Sequence, residues 1–140
     1  MRDINSAILQ AYYEVIDNAG IIIYEGEEPD DVKDKIYAVL SDATSVEKST
    51  DNSSDTQTTL QITVNSWEYK YNNSKNLNAA VNTILQSIKP TTNSVLDLSP
   101  YGLQMLNLTI QTDRTERFGE LAGKVYISRI LVFKQDIFII

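Results

Sequence analysis

Residues 75–88 read Lys75-Asn76-Leu77-Asn78-Ala79-Ala80-Val81-Asn82-Thr83-Ile84-Leu85-Gln86-Ser87-Ile88, and Leu77, Ala80, Val81, Ile84, Leu85 and Ile88 fall at i, i+3, i+4, i+7, i+8 and i+11. That spacing predicts a helix with a single apolar stripe. Asn73 or Ser74 can cap its start, and Pro90 ends it, because the residue before a proline is pushed out of the α region. Such a helix needs a surface to cover, and its flanks supply one. Upstream, Leu60, Ile62 and Val64 alternate with Gln61, Thr63 and Asn65, a strand with one dry face. Past Ser66 the large residues move to Trp67, Tyr69 and Tyr71. This fits either a bulge that shifts the register or a strand end that packs aromatics on its other side. Downstream, Leu106, Leu108 and Ile110 alternate, and residues 124–133 are almost continuously apolar, which predicts two more strands around a charged hairpin tip at 113–120.

Towards the start of the chain, Ile4, Ile8, Tyr12, Val15, Ile16 and Ala19 share one helical face, with Asp3 placed to cap and Gly20 to stop the helix. Ile21-Ile22-Ile23-Tyr24 reads as a short buried strand, and the acidic stretch 25–31, broken by Gly26 and Pro29, as a loop. A second strand is expected over 35–41. Residues 42–56 are rich in Ser, Thr, Asp and Asn, bury little, and are expected to form a mobile surface loop. Two one-striped helices and a mainly antiparallel sheet are satisfied together when both helices lie on one sheet face. The fold class is therefore α+β, a two-layer sandwich forming a single domain over 1–140.

Composition removes most chemistry. The chain has no cysteine and no histidine, which excludes disulfides, thiolate metal sites and cysteine nucleophiles, together with the commonest general base and metal ligand. Twelve basic against nineteen acidic side chains give a net charge of −7, the wrong sign for gripping phosphate backbones. No apolar run approaches a membrane span, and the N-terminal residues lack the apolar core of a leader, so a soluble chain without membrane contact is expected. The sequons at Asn52, Asn72 and Asn107 read as chance matches in an asparagine-rich chain.

Asp51-Asn52-Ser53-Ser54-Asp55 starts like a calcium loop, but Thr56 stands where the turn needs glycine and Ile62 where a bidentate glutamate belongs. The carboxylates Glu25, Glu27, Glu28, Asp30 and Asp31 have nothing nearby to shield them from water or raise a pKa. No nucleophile elbow, phosphate-binding glycine loop or S-x-x-K motif occurs. No enzymatic activity, cofactor or metal is expected. What stands out is apolar surface. Residues 136–140 carry Ile137, Phe138, Ile139 and Ile140 in succession, a hydrophobic tail that either extends the last strand into the core or docks on a neighbouring subunit. Trp67, Tyr69 and Tyr71 pose the same choice, and Arg114 and Arg117 at the charged tip offer polar contacts to a neighbour.

The order of elements resembles the tail-completion, or tail-terminator, proteins of tailed bacteriophages. The resemblance rests on an N-terminal helix like residues 4–19, a strand of the type Ile36–Leu40, and a polar loop. A strand ending in an aromatic phrase like 60–67, a helix like 73–88 and two closing strands complete it. It implies a non-enzymatic virion protein assembled in the bacterial host cytoplasm, forming a homo-oligomeric ring at the head–tail junction. A hexamer is expected, with a dodecamer as the other closed form, bounded by tail-tube or head-connector proteins. DNA would pass through without tight binding, past a lumen rimmed by Glu25, Glu27, Glu28, Asp30 and Asp31. The rival reading is a small non-enzymatic protein–protein adaptor that pairs through an open sheet edge.

Overall fold

The computed structural model describes residues 3–28, 36–47, 55–69, 74–121 and 123–140. Helix α1 spans Asn5–Asn18 and α2 Lys75–Ile88. The strands are β1 (Ile23–Glu25), β2 (Ile36–Leu40), β3 (Thr44–Glu47), β4 (Asp55–Tyr69), β5 (Leu103–Leu121) and β6 (Lys124–Ile139), with a 3-10 turn at Ser99–Tyr101. The strands form one sheet in the order β1-β2-β4-β6-β5, and β3 pairs with β4 beyond the end of β2. Every pairing is antiparallel except β1 with β2.

Both helices pack on one face of this sheet, as their single apolar stripes require. Ile8, Tyr12 and Ile16 of α1 and Leu77, Val81, Ile84 and Ile88 of α2 meet Leu60, Ile62 and Val64 of β4 and Leu131, Phe133 and Ile137 of β6 in one buried cluster. The Tyr12 ring lies 5.6 Å from that of Phe133. Its hydroxyl donates to Gln135 Oε1 at 2.7 Å, and Gln135 Nε2 donates to the Thr58 carbonyl at 3.1 Å. Helix α1 ends in a Schellman turn. Ile21 N–H returns to the Ile16 carbonyl and Gly20 N–H to that of Asp17. Gly20 sits at φ 86°, where a side chain would strain the backbone. At the other end, the Asp3 carboxylate accepts from the Asn5 N–H at 3.0 Å.

The start of α2 differs from expectation. Asn73 lies outside the described residues. Ser74 occupies the N-cap position but makes no side-chain cap bond and adopts a left-handed backbone (φ 60°); its Oγ instead accepts from Arg117 Nη2 at 3.4 Å. The cap comes from the sheet. Glu68, buried near the end of β4, accepts the Leu77 backbone N–H at 2.6 Å and Asn76 Nδ2 at 3.1 Å. An ionised acceptor at the positive end of the helix satisfies donors that the helix itself leaves open.

Two expectations need correction. First, the 42–56 segment is strand at both ends: Thr44–Glu47 pairs with Thr56–Thr59, and 48–54 lie outside the described residues. Little apolar surface is buried there, but the β4 edge completes the backbone hydrogen bonds of β3, and Ser45 and the Ala43 carbonyl bond to Asn5 at the start of α1. Second, residues 113–120 are not a hairpin tip. They continue β5, from Asp113↔Leu131 to Arg117↔Ile127 and Glu120↔Val125, and the turn lies at the glycine Gly123, φ 78°. Along this part of β5 the residues on both faces are exposed or half-buried, so the charged side chains keep water. Of the two alternatives for 136–140, the structure shows strand extension, with 136–139 continuing β6. Phe138 pairs with Asp55 on one side and Gln104 on the other, and Ile140 N–H bonds the Gly102 carbonyl.

The β4–β6 register runs without a shift from Asp55↔Phe138 to Tyr69↔Lys124. No bulge therefore separates Val64 from Trp67, and Trp67 and Tyr69 point away from the helices. On the helix face, the same unbroken alternation carries Ser66 into the core, where its hydroxyl is buried with no hydrogen-bond partner among the described residues. Ser66→Ala is expected to raise stability by about 1 kcal/mol by removing an unsatisfied group. Denaturant unfolding checks this; a loss of stability would mean that the hydroxyl has a partner.

Candidate assembly surfaces

On the face opposite the helices, odd-numbered residues of β4 meet even-numbered residues of β6. Trp67 stacks 5.1 Å from Tyr126, and Phe118 lies 5.9 Å from the same ring. Tyr126 and Tyr37 join hydroxyls at 2.9 Å, and Tyr37 packs 5.8 Å from Tyr24, edge to face. Lys124 Nζ sits 4.8 Å above the Tyr69 ring. Burial, the Tyr37 hydroxyl and the Glu28 carboxylate all push the Tyr126 phenol above its ordinary pKa. The cluster is part of the fold, yet Trp67 is 40%, Tyr69 56% and Phe118 48% exposed. Just behind it, Ser128 donates to Asn65 Oδ1 at 2.5 Å, pairing two buried polar side chains of this face.

The expected interface residues separate. Ile137 is buried in the protomer core, Ile139 packs partly against it, and Phe138 and Ile140 stand exposed. The strand alternates, so the apolar run is divided between core and surface. Arg114 lies on the outer face and pairs with Glu116 at 3.2 Å, whereas Arg117 faces α2. Tyr71 lies outside the described residues. Of the acidic loop, Glu25, Glu27 and Glu28 are exposed beside the β1 edge; Asp30 and Asp31 lie outside the described residues.

At the far end of the sheet a groove of about 430 Å³ opens between the segment before β5 and β5 itself, lined by Val95, Leu96, Leu98, Leu103, Met105 and Ile140, with Asp97 at its side. Leu106 and Val95 continue the apolar surface around a second hollow of about 320 Å³. Among the described residues no group of acidic side chains could hold a metal ion, and no helix is long and apolar enough to cross a membrane.

No family profile matches the chain, and no curated protein matches it. Among solved structures, the chain is similar to one described as "Virion of native gene transfer agent (GTA) particle", with a TM-score of 0.67 and 17% identity, over 99% of both chains. At that identity the likeness is one of fold. It extends end to end, so the helices, the sheet and the β5–β6 ribbon belong to one shared architecture.

Sequence reasoning missed Phe118, Tyr126, Tyr37 and Val95. Tyr126 sat unnoticed within the apolar stretch 124–133, and Phe118 within what read as a polar turn. Their signal is the cross-strand register, Trp67 opposite Tyr126, which appears only once β4 and β6 are paired.

Proposed function

We propose that this protein is a non-enzymatic structural component of a phage-like virion, forming a closed ring at the head–tail junction as a tail terminator does. The observation that carries the reading is the end-to-end likeness of fold to a chain of a gene transfer agent virion. Exposed aromatic and aliphatic patches in a well-packed protomer support it, because apolar surface of this kind marks contact with other chains. In the ring, Trp67, Tyr69, Phe138 and Ile140, with Arg114 and Arg117, belong to contacts with neighbouring subunits or with tail-tube and connector proteins. The carboxylates Glu25, Glu27 and Glu28 rim the lumen, where negative charge lets DNA slide past without being held.

The test is solution mass by light scattering and native mass spectrometry at about 10–100 µM protomer. A closed ring, hexameric or dodecameric, is the expected result. A chain that stays monomeric or stops at a simple dimer at these concentrations overturns the ring and favours a protein-binding adaptor.

A further inference from the structure

The aromatic cluster and the apolar groove lie at opposite ends of β6. Tyr126 and Ile139 are thirteen positions apart on that strand, which at about 3.3 Å per residue separates the two surfaces by roughly 40 Å. The two surfaces also differ in kind. One is a set of partly exposed rings, Trp67, Tyr69 and Phe118, with Lys124 at its edge; the other is a hollow of about 430 Å³ lined mainly by aliphatic side chains, with Asp97 at its side.

We propose that the Trp67–Tyr69–Phe118 cluster of one copy seats in the Val95–Leu103–Ile140 groove of the next, with Lys124 of the first copy facing Asp97 of the second. This rests on the reading of the chain as a ring-forming protein, and names the contact that closes the ring. Volume, charge, placement and exposed area together point to a second copy in this orientation. A groove of 430 Å³ falls in the ~300–1,000 Å³ range that encloses a compact organic group, enough to admit an aromatic side chain.

The charges decide the orientation. Packing the aromatic cluster against itself across a two-fold axis would bring Lys124 towards Lys124 and leave the groove open. Head-to-tail packing sets Lys124 against Asp97 and fills both surfaces. The placement of knob and hollow at opposite ends is what a heterologous contact requires, and repetition of such a contact closes a ring when the rotation between copies permits. Size agrees. The exposed fractions of these three residues leave roughly 300 Å² of their surface in water. That suits the central anchor of an interface of about 800 Å² per partner, the rest coming from its polar rim.

The absence of cysteine makes the contact directly testable. Copies carrying Tyr69→Cys are mixed with copies carrying Val95→Cys and treated with a short bifunctional maleimide. Crosslinked dimers are expected from the mixture and not from either variant alone. Lys124→Asp and Asp97→Lys should each weaken self-association about 10-fold, and the two together should restore it to within about 3-fold. Trp67→Ser should weaken it about 100-fold with little change in the monomer's circular dichroism. If the wild-type protein forms a closed ring but the cysteine variants give no mixed crosslink, Tyr69→Cys crosslinks on its own, or the charge swap gives no rescue, this contact is overturned and the ring stands. A mixed crosslink and rescue in an open dimer or filament overturns the ring and leaves the contact standing. Wild-type protein that is monomeric, together with cysteine variants that give no mixed crosslink, overturns both.

Discussion

Replacing Glu68 with alanine is expected to lower stability by about 3 kcal/mol, which for a domain of this size is a fall of roughly 10 °C in Tm. The side chain is buried near the end of β4, where it accepts the Leu77 N–H at 2.6 Å and Asn76 Nδ2 at 3.1 Å. Three losses combine in the variant. The Leu77 N–H loses a charge-assisted acceptor and stays buried without one, worth about 1.5–3 kcal/mol. The negative charge at the N-terminus of α2 disappears, about 0.3–1 kcal/mol. A small void replaces the rest of the side chain. Ser74 cannot step in, because its left-handed backbone turns the hydroxyl towards Arg117. Glu68→Gln should cost about half as much, keeping one acceptor for Leu77 while setting an amide against that of Asn76. Denaturant unfolding of the two variants measures both effects. A loss below about 0.5 kcal/mol for Glu68→Ala would show that solvent or another side chain caps the helix.

Glu68 also shows where the sequence stopped being legible. The stripe from Leu77 to Ile88 named a helix, expected over 73–88 and observed over Lys75–Ile88, and the alternation of Leu60, Ile62 and Val64 named the face it covers. Both are short-range periodicities written in side-chain polarity. A cap supplied by a strand nine residues earlier leaves no local trace, so Asn73 and Ser74, the expected capping types in the expected place, drew the assignment instead. The same limit explains residues 113–120. A run of both charge signs around Gly119 reads as a turn, because polarity signals exposure, and a ribbon wet on both faces has the same polarity as a loop. Strand β3 was hidden for the opposite reason: its backbone pairs fully with β4 while its side chains bury little. The surfaces proposed for assembly were half visible. Trp67, Tyr69 and the apolar run at 137–140 stand out in the sequence, but which of them face water follows from one unbroken register, and their companions Phe118, Tyr126 and Val95 come from elements far apart in the chain.

The layered fold places one more polar constellation in its driest region, and removing it should cost nearly as much. Tyr12→Phe is expected to destabilise the protein at neutral pH by about 2 kcal/mol, since Gln135 Oε1, fully buried, loses the hydroxyl that donates to it at 2.7 Å. Gln135→Leu should cost as much or more, leaving the Tyr12 hydroxyl unpaired and the Thr58 carbonyl without its side-chain donor at 3.1 Å. The double variant removes both ends of the bond together. Its cost should fall short of the summed single costs by at least about 1 kcal/mol, because no orphaned partner remains. Alkaline pH gives an independent readout. Burial raises the Tyr12 phenol above its ordinary pKa of 10.0, so as pH climbs past about 10 the unfolded chain releases this proton while the folded chain keeps it. The unfolded state then binds fewer protons, and wild-type stability falls by up to about 1.4 kcal/mol per pH unit from this residue; below pH 10 both states hold the proton and the contribution is absent. Phenylalanine has no proton to lose. The stability gap between wild type and Tyr12→Phe should therefore be constant between pH 7 and 9 and narrow by about 1 kcal/mol at pH 11, with the shifted Tyr126 common to both proteins and cancelling in the difference. A gap that stays constant to pH 11 would mean that Tyr12 ionises as readily folded as unfolded, and that its hydroxyl reaches water rather than Gln135.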